Sequence, residues 1–546
     1  MRNLIVQFVV VLVATFCGSL SFCAPPSHPG DGQGGVPRGE FGGPGGGRAR
    51  TVDYSGATEL SESTTSVDAR YSSDAPGEVA LLVSGGTSTL ENATIAKSGA
   101  PTGRSDDYDF YGTNAAALVY KGELALKGGT ITTDSAYSSG LFVYGDGKAT
   151  AENVEIRTKE HNSGGVMVTG GGTLSAKNLR VVTDGNSSAP IRSDRGGGLL
   201  TVQGGEYRAN GSGSPVVYST ADIRVEDATL ISTRSEGAVI EGRNSIALKK
   251  TKLTDDNNAL HGKSTTYKNV FIYQSFSGDA EVGTSRFSAE DCEISTKKGD
   301  SIYVTNTSCV VELRKNRFVN EDPEGYFLRV RREGWGRSGK NGGKVDLKLA
   351  EQEIAGNVYV DNISELTMTL SEGSRFVGAI NAENTAGRLD ISLDADSTLE
   401  LTADSYVSSV TNADASGANI KLNGFKLYVG EEKKPDNLPE TGNSESGRGG
   451  PDGGFGGRDG GRPEPPWGDA EDRPEPPEGF DGDRPEAPRE FESENGAERF
   501  ERRPGSRPRR GDAREEGRGG RGGRSDGSRP SRRPSRRPGT PERSEN

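Results

Sequence analysis

The central part of the chain repeats one short pattern: two apolar residues two positions apart, a turn-forming set, then another apolar residue. It runs from Leu124 and Leu126 to Ile131, from Ala149 and Ala151 to Ile156, and from Leu174 and Ala176 to Val181. Leu200, Val202 and Tyr207 repeat it, as do Ile223, Val225 and Leu230, then Ile246, Leu248 and Leu253. Later copies are Phe287, Ala289 and Ile294; Val311, Leu313 and Phe318; and Leu347, Leu349 and Ile354, with weaker ones ending at Phe376 and Leu399. Neighbouring copies lie mostly about 22 to 26 residues apart, a solenoid period. Each copy carries a second alternation, such as Leu141-Phe142-Val143 or Ala238-Val239-Ile240. Alternation of this kind turns one strand face inward and the other outward. Gly, Asn, Asp and Ser fill the intervals, where turns need positive φ or side-chain-to-backbone bonds. Two or three short strands per period make one coil of a single-stranded parallel β-helix. The pattern predicts eleven or twelve such coils over Gly77–Gly430, in an all-β chain. The handedness is expected to be right, as for parallel crossovers generally. Leucine-rich repeats share the period but require a Leu and Asn spacing absent here.

Three intervals are longer than one coil: Ile95 to Ile131, Leu253 to Ile294 and Phe318 to Ile354. Such insertions project from one face of a repeat protein and often form its binding surface. The first holds Ser105–Gly112, the second Asp255–Asn258, His261 and Tyr273–Phe276, and the third Gly325–Arg332 and Trp335. The positions about twelve before each terminal apolar residue form an outward row that includes Tyr144, Arg195, Tyr218, Glu241 and Asn306. Asp194, Tyr273, Gln274 and Tyr303 lie close to that row in register, and the nine together are the candidate ligand-binding residues. Aromatics mixed with polar groups suit sugar or protein contact. An ordinary solvated β-face is the competing reading.

Composition divides the chain. Residues 1–24 read as a signal peptide, with Arg2 ahead of an apolar stretch from Leu4 to Phe16. An uncleaved anchor and a lipoprotein modified at Cys23 are the alternatives, the latter opposed by the bulk of Phe22. Residues 25–50 form a Gly- and Pro-rich leader expected to be disordered, and 51–76 a cap or transition. The tail, 431–546, is rich in Pro, Gly, Arg, Asp and Glu and is also expected to be disordered. It is acidic up to Arg502 and basic beyond, as in interaction tails. No later stretch could span a bilayer once the signal is removed. The formal charge of −13 disfavours nucleic acid as a partner. Arg518, Arg521 and Arg524 lie in an RGG-like segment that better suits anionic envelope polymers in an exported chain. Cys292 and Cys309 fall at inward positions and are expected as buried thiols rather than a bridge. Leu438-Pro439-Glu440-Thr441-Gly442 matches a sortase signal, but no apolar span follows it, so the match reads as accidental.

Catalytic chemistry is weakly supported. Glycoside hydrolysis needs two carboxyls at a fixed separation. The β-helical polygalacturonases set an NTD tripeptide, a DD pair, GHG and RIK on successive coils. Here Asp255-Asp256 and His261-Gly262 share one insertion, and NTD and RIK are missing. Arg192, Asp194 and Arg195 lie near one turn but read as turn residues. With His28, His161 and His261 the only histidines, a His-based metal site is poorly supported, and no metal or cofactor is expected. Five Asn-x-Ser/Thr sequons, at Asn92, Asn186, Asn210, Asn306 and Asn362, matter only in a eukaryotic secretory pathway.

Several segments together resemble secreted bacterial adhesin-like proteins with a right-handed, pectin-lyase-like β-helix. They are Asp109–Ala116, Ser163–Gly165 with Gly170–Gly172, Ile191–Gly198, Ser214–Asp222, Val239–Gly242, Ile272–Ser275 leading to Gly283–Ser285, and Tyr303–Thr307. The resemblance covers roughly Gly77–Gly430. It implies a β-helix outside the cell or in its envelope and transfers no catalytic residue. The expectation is a non-enzymatic surface rod that binds carbohydrate or another surface component. A polysaccharide lyase or glycoside hydrolase is the first alternative, and an envelope rod without a specific ligand the second.

Overall fold

The computed structural model describes residues 52–275 and 277–435, with Leu438 and Thr441; the expected signal peptide, leader and most of the tail lie outside the described residues. The chain forms a right-handed parallel β-helix of about 15 turns. Each turn contributes to three rows of strands. The first row, here called the face sheet, has twelve strands from Gly56–Leu60 through Leu141–Tyr144 and Ala238–Glu241 to Val358–Val360. The second and third rows merge into one sheet of 20 strands, which a four-stranded sheet extends towards the C-terminal end.

The repeat read from the sequence is the ladder itself. Ile131, Ile156, Val181, Tyr207, Leu230, Leu253 and Ile294 pair in register down the third row, and all are buried. Leu124, Ala149, Leu174, Leu200, Ile223, Ile246, Phe287, Val311 and Leu347 do the same in the second. Phe318, at the end of the third-row column, is only partly buried. One coil alone cannot bury its inner face, so stacking is what makes this core.

The corner between the second and third rows is tight. Asn92, Asn153, Asn178, Asp227 and Asp291 occupy it, each at φ between 53° and 57°, with Gly128, Gly204 and Lys250 at positive φ in the turns between. Short Asn and Asp side chains tolerate this left-handed region better than other L-residues. At Gly129 the corner also excludes a side chain, because a Cβ there would lie 2.1 Å from the Ala93 carbonyl oxygen. Serine hydroxyls inside the turns pass one bond per coil: Ser138 N–H donates to Ser163 Oγ, Ser163 N–H to Ser188 Oγ, and Ser188 N–H to Ser214 Oγ, at 2.8–3.1 Å.

The turn count exceeds the eleven or twelve expected. The extra turns lie at the ends, where the repeat is faint. In the first, Ser66, Tyr71 and Ser73 face inward; the last relies on Val410 and Ile420. Cys292 and Cys309 are free and buried, and burial pushes both thiols up.

Candidate functional site

The three insertions all fold over the outer side of the face sheet. The first forms helix α1 (Asp106–Tyr111). Ser105 caps it, its Oγ accepting from the Asp107 N–H, and Gly112 ends it at φ 71°. Gly112 sits against the Phe142 ring, where a Cβ would come within 2.7 Å. The second insertion is divided by the strand Lys268–Tyr273, all six residues of which are buried. Loops 256–267 and 274–283 lie on either side of it. The third supplies loop 331–343 and Trp335.

These insertions overturn the expected exposure of the outward row. Tyr218, Glu241, Tyr273, Tyr303, Asp194 and Gln274 are all buried, and the row is not one column, since Tyr218 pairs with Arg192 and Val239 while Glu241 pairs with Tyr273. The cover is a second apolar layer in which Tyr218, Phe271, Tyr273, Tyr303 and Trp335 pack together. The Phe271 and Tyr273 rings stack 4.6 Å apart, and Trp335 approaches both at 5.1 and 5.3 Å. Tyr144, Arg195 and Asn306 remain partly exposed. The structure therefore brings Tyr218, Glu241 and Tyr273 together as one buried cluster, and Gln274 and Asn306 together at the surface. Tyr144 lies apart from both, packed on Tyr111 of α1 at 5.3 Å.

Charges in this layer are held by named partners. Glu241 accepts from Tyr218 Oη at 2.7 Å, Tyr273 Oη at 2.9 Å and Ser275 Oγ. Burial raises its carboxyl, and those three bonds oppose the rise. Asp194 Oδ2 meets Arg192 Nη2 at 2.9 Å. Burial lifts Asp194 from the usual 3.8 to about 7; Arg192 pulls it down and Asp279 pushes it further up. Arg195 binds Asp279 of the second insertion and lies 3.9 Å from the Phe110 ring of the first. Burial also raises Asp109, which Arg104 binds at 2.9 Å.

Sequence reasoning missed the next group. Lys268 and Glu333 are fully buried and meet at 2.7 Å, with Lys268 Nζ 4.3 Å from the Phe271 ring and 4.5 Å from Tyr303. Glu333 Oε1 also accepts from Thr265 N and Oγ1, which ties the second insertion to the third. Asp300 and Arg329 form a bidentate pair one turn on, at 2.6 and 3.0 Å. The signal available was the unbroken run Lys268–Tyr273, since a strand covered on both faces loses its alternation.

One groove on this face stays open, with a volume of about 410 Å3. Gln274, Val282, Asn306, Lys340, Lys344 and Glu365 line it. Gln274 Nε2 donates to the Ser275 and Ala280 carbonyls at 3.0 and 3.3 Å, which fixes the carboxamide. Its Oε1 is buried and has no hydrogen-bond partner. Asn306 Nδ2 donates to the Gln274 carbonyl at 2.6 Å. Val282 stands 82% exposed at the rim. A larger cleft of about 710 Å3 lies near the N-terminal end, beside Asp74, Glu78, Lys97 and Thr133. Its buried Lys97 is held by the Ala75, Ser98 and Gly99 carbonyls, so that amine is occupied.

Among the described residues no group of three or more His, Cys, Asp or Glu is arranged to hold a metal ion, and no helix is long and apolar enough to cross a membrane. No protein-family model matches the chain, and no curated protein matches it. The β-helix is what the residues themselves establish.

Proposed function

We propose that the protein is an exported surface rod that binds acidic carbohydrate in the groove at Gln274 and Asn306 without transforming it. The observation that carries this reading is the open polar groove itself, walled by the carboxamide residues Gln274 and Asn306 and by Lys340. Lys340 supplies charge for a carboxylate or sulfate beside the Lys344–Glu365 pair at 2.9 Å, while the lining holds no aromatic ring on which a neutral sugar could stack. The buried carboxylates nearby are engaged by arginine, lysine, tyrosine and serine partners. Export rests on the apolar N-terminal segment. The basic end of the tail would supply further contact with anionic envelope polymers.

The test is binding of the full chain to an array of acidic and neutral glycans. Acidic glycans should bind, and Lys340→Glu with Lys344→Glu should abolish the signal while leaving the circular dichroism spectrum unchanged. Absence of all glycan binding would overturn the reading.

A second reading is a polysaccharide-active enzyme. The observation that favours it is Asp194, a buried carboxyl paired with Arg192 at 2.9 Å and raised above the usual carboxylate range by burial and by Asp279, the direction a general acid needs. Release of reducing sugars or unsaturated products from polyuronides, lost in Asp194→Asn, would establish it.

A further inference from the structure

Among the described residues, nothing covers the solenoid core at either end. Six apolar residues pack on it while only partly buried, and five belong to the terminal turns: Leu60 and Ala69 at the first, Val410, Ile420 and Leu427 at the last. Leu422 and Phe425 stand 43% and 38% exposed beside the last turn. Among the described residues the backbone edges are open as well. Gly56–Leu60, Thr65–Val67 and Arg70–Ser73 pair on one side only, with the turn that follows. Ser409–Asn412, Ile420–Lys421 and Leu427–Val429 pair on one side only, with the turn before. An uncovered edge of this kind is a template for another strand.

The two ends present the same three rows in the same order. Of the chain leaving the last turn, the described residues lie along the side of the rod, where Asn384 Nδ2 donates to the Glu432 carbonyl at 2.8 Å, Arg332 Nη2 to the Leu438 carbonyl at 2.8 Å, and Asn341 Nδ2 to the Thr441 carbonyl at 3.1 Å. The first turn is acidic, with Asp53, Glu59, Glu62, Asp68 and Asp74 against Arg70; at the last turn Lys421 pairs with Glu400 of the turn before, at 2.9 Å, and the exposed Lys426 is the cation left to meet them.

We infer that the open ends are an interface for a second copy of this chain, joined head to tail. The last turn of one copy meets the first turn of the next, so that all three strand rows and the apolar core continue across the joint. The contact joins unlike ends and does not close on itself, so it extends into filaments whose length rises with concentration. This is independent of what the lateral groove binds.

The test uses the full chain, purified as a monomer and then concentrated, with mass read by light scattering. Masses should step through whole multiples of the monomer, and negative-stain images should show rods lengthened end to end. Leu60→Glu blocks one end and Ile420→Glu the other, so each alone should stay monomeric. Mixed together they should form dimers and nothing longer, because each keeps one intact end; that dimer also proves both variants folded. A full chain that stays monomeric at high concentration overturns the inference and means that its own flanking segments cover the ends. Self-association of either variant alone would overturn it too, since the contact would then join like ends.

Discussion

The protein buries two apolar layers of opposite character. Inside the coils, the core is aliphatic and periodic, with Val, Ile, Leu and Ala stacked in register from turn to turn. Outside the face sheet, under the insertions, the layer is aromatic and charged, and residue type changes from turn to turn even where positions are in register: Trp335, Phe271 and three tyrosines surround Lys268, Glu333 and Glu241. The inner layer is stabilised by repetition, since each coil supplies what the next one lacks. The outer layer depends on a few specific contacts between insertions far apart in sequence. Damage to the first should therefore be global, and damage to the second local.

The largest expected effect tests that locality. Glu333→Ala leaves the Lys268 ammonium buried without its carboxylate, a loss of about 3–5 kcal/mol. Limited proteolysis should then cut within 256–283 and 331–343 early, while the β-sheet circular dichroism signal survives. Simultaneous loss of both would show that the outer layer is part of the main cooperative unit. Leu200→Ala probes the inner layer and should cost about 2–5 kcal/mol. Chemical denaturation should show its midpoint falling for the whole solenoid at once, with no early loop cleavage.

A pH series sharpens the comparison, because Asp194 has no counterpart in the aliphatic interior. Its carboxyl is raised in the folded state from 3.8 to about 7, so between those values the folded protein holds a proton that the unfolded chain releases. That contribution to stability is fully present below the unfolded value and is lost as pH rises through about 7. Thermal midpoints should fall across this window, and Asp194→Asn should flatten the curve. The smallest effect belongs to neither layer. Lys177 and Glu152 pair at 2.9 Å on the solvated face, and both are about half exposed. Lys177→Ala should cost less than about 1 kcal/mol, within the scatter of a denaturant midpoint.

The same contrast governs what the sequence could reveal. Leu124, Ala149, Leu174 and Leu200 announced themselves because a coil repeats and its inner face must be apolar. The insertions were visible as lengthened intervals, and Gln274 and Asn306 were identified in advance as candidate contacts. What could not be read was that Tyr218, Glu241, Tyr273 and Tyr303 would be covered. An outward strand position is normally wet, and only the return of chain from other turns buries it. Lys268 and Glu333, 65 residues apart, carry no periodic signal that they meet. The first turn was missed for the converse reason: its inward positions use Ser66, Tyr71 and Ser73, so the period fades before the fold does.

The serine hydroxyls that hand one bond from each coil to the next have a consequence for length. Because Ser138, Ser163, Ser188 and Ser214 repeat the same contact, a whole turn is the natural unit of addition or loss. Each turn advances the rod by about 4.8 Å, the spacing between paired strands. The lateral groove therefore stands at a height counted in whole turns from either end. A lineage could shift that height, like a mark on a ruler, by duplicating or deleting a coil on one side of the insertions without redesigning the site.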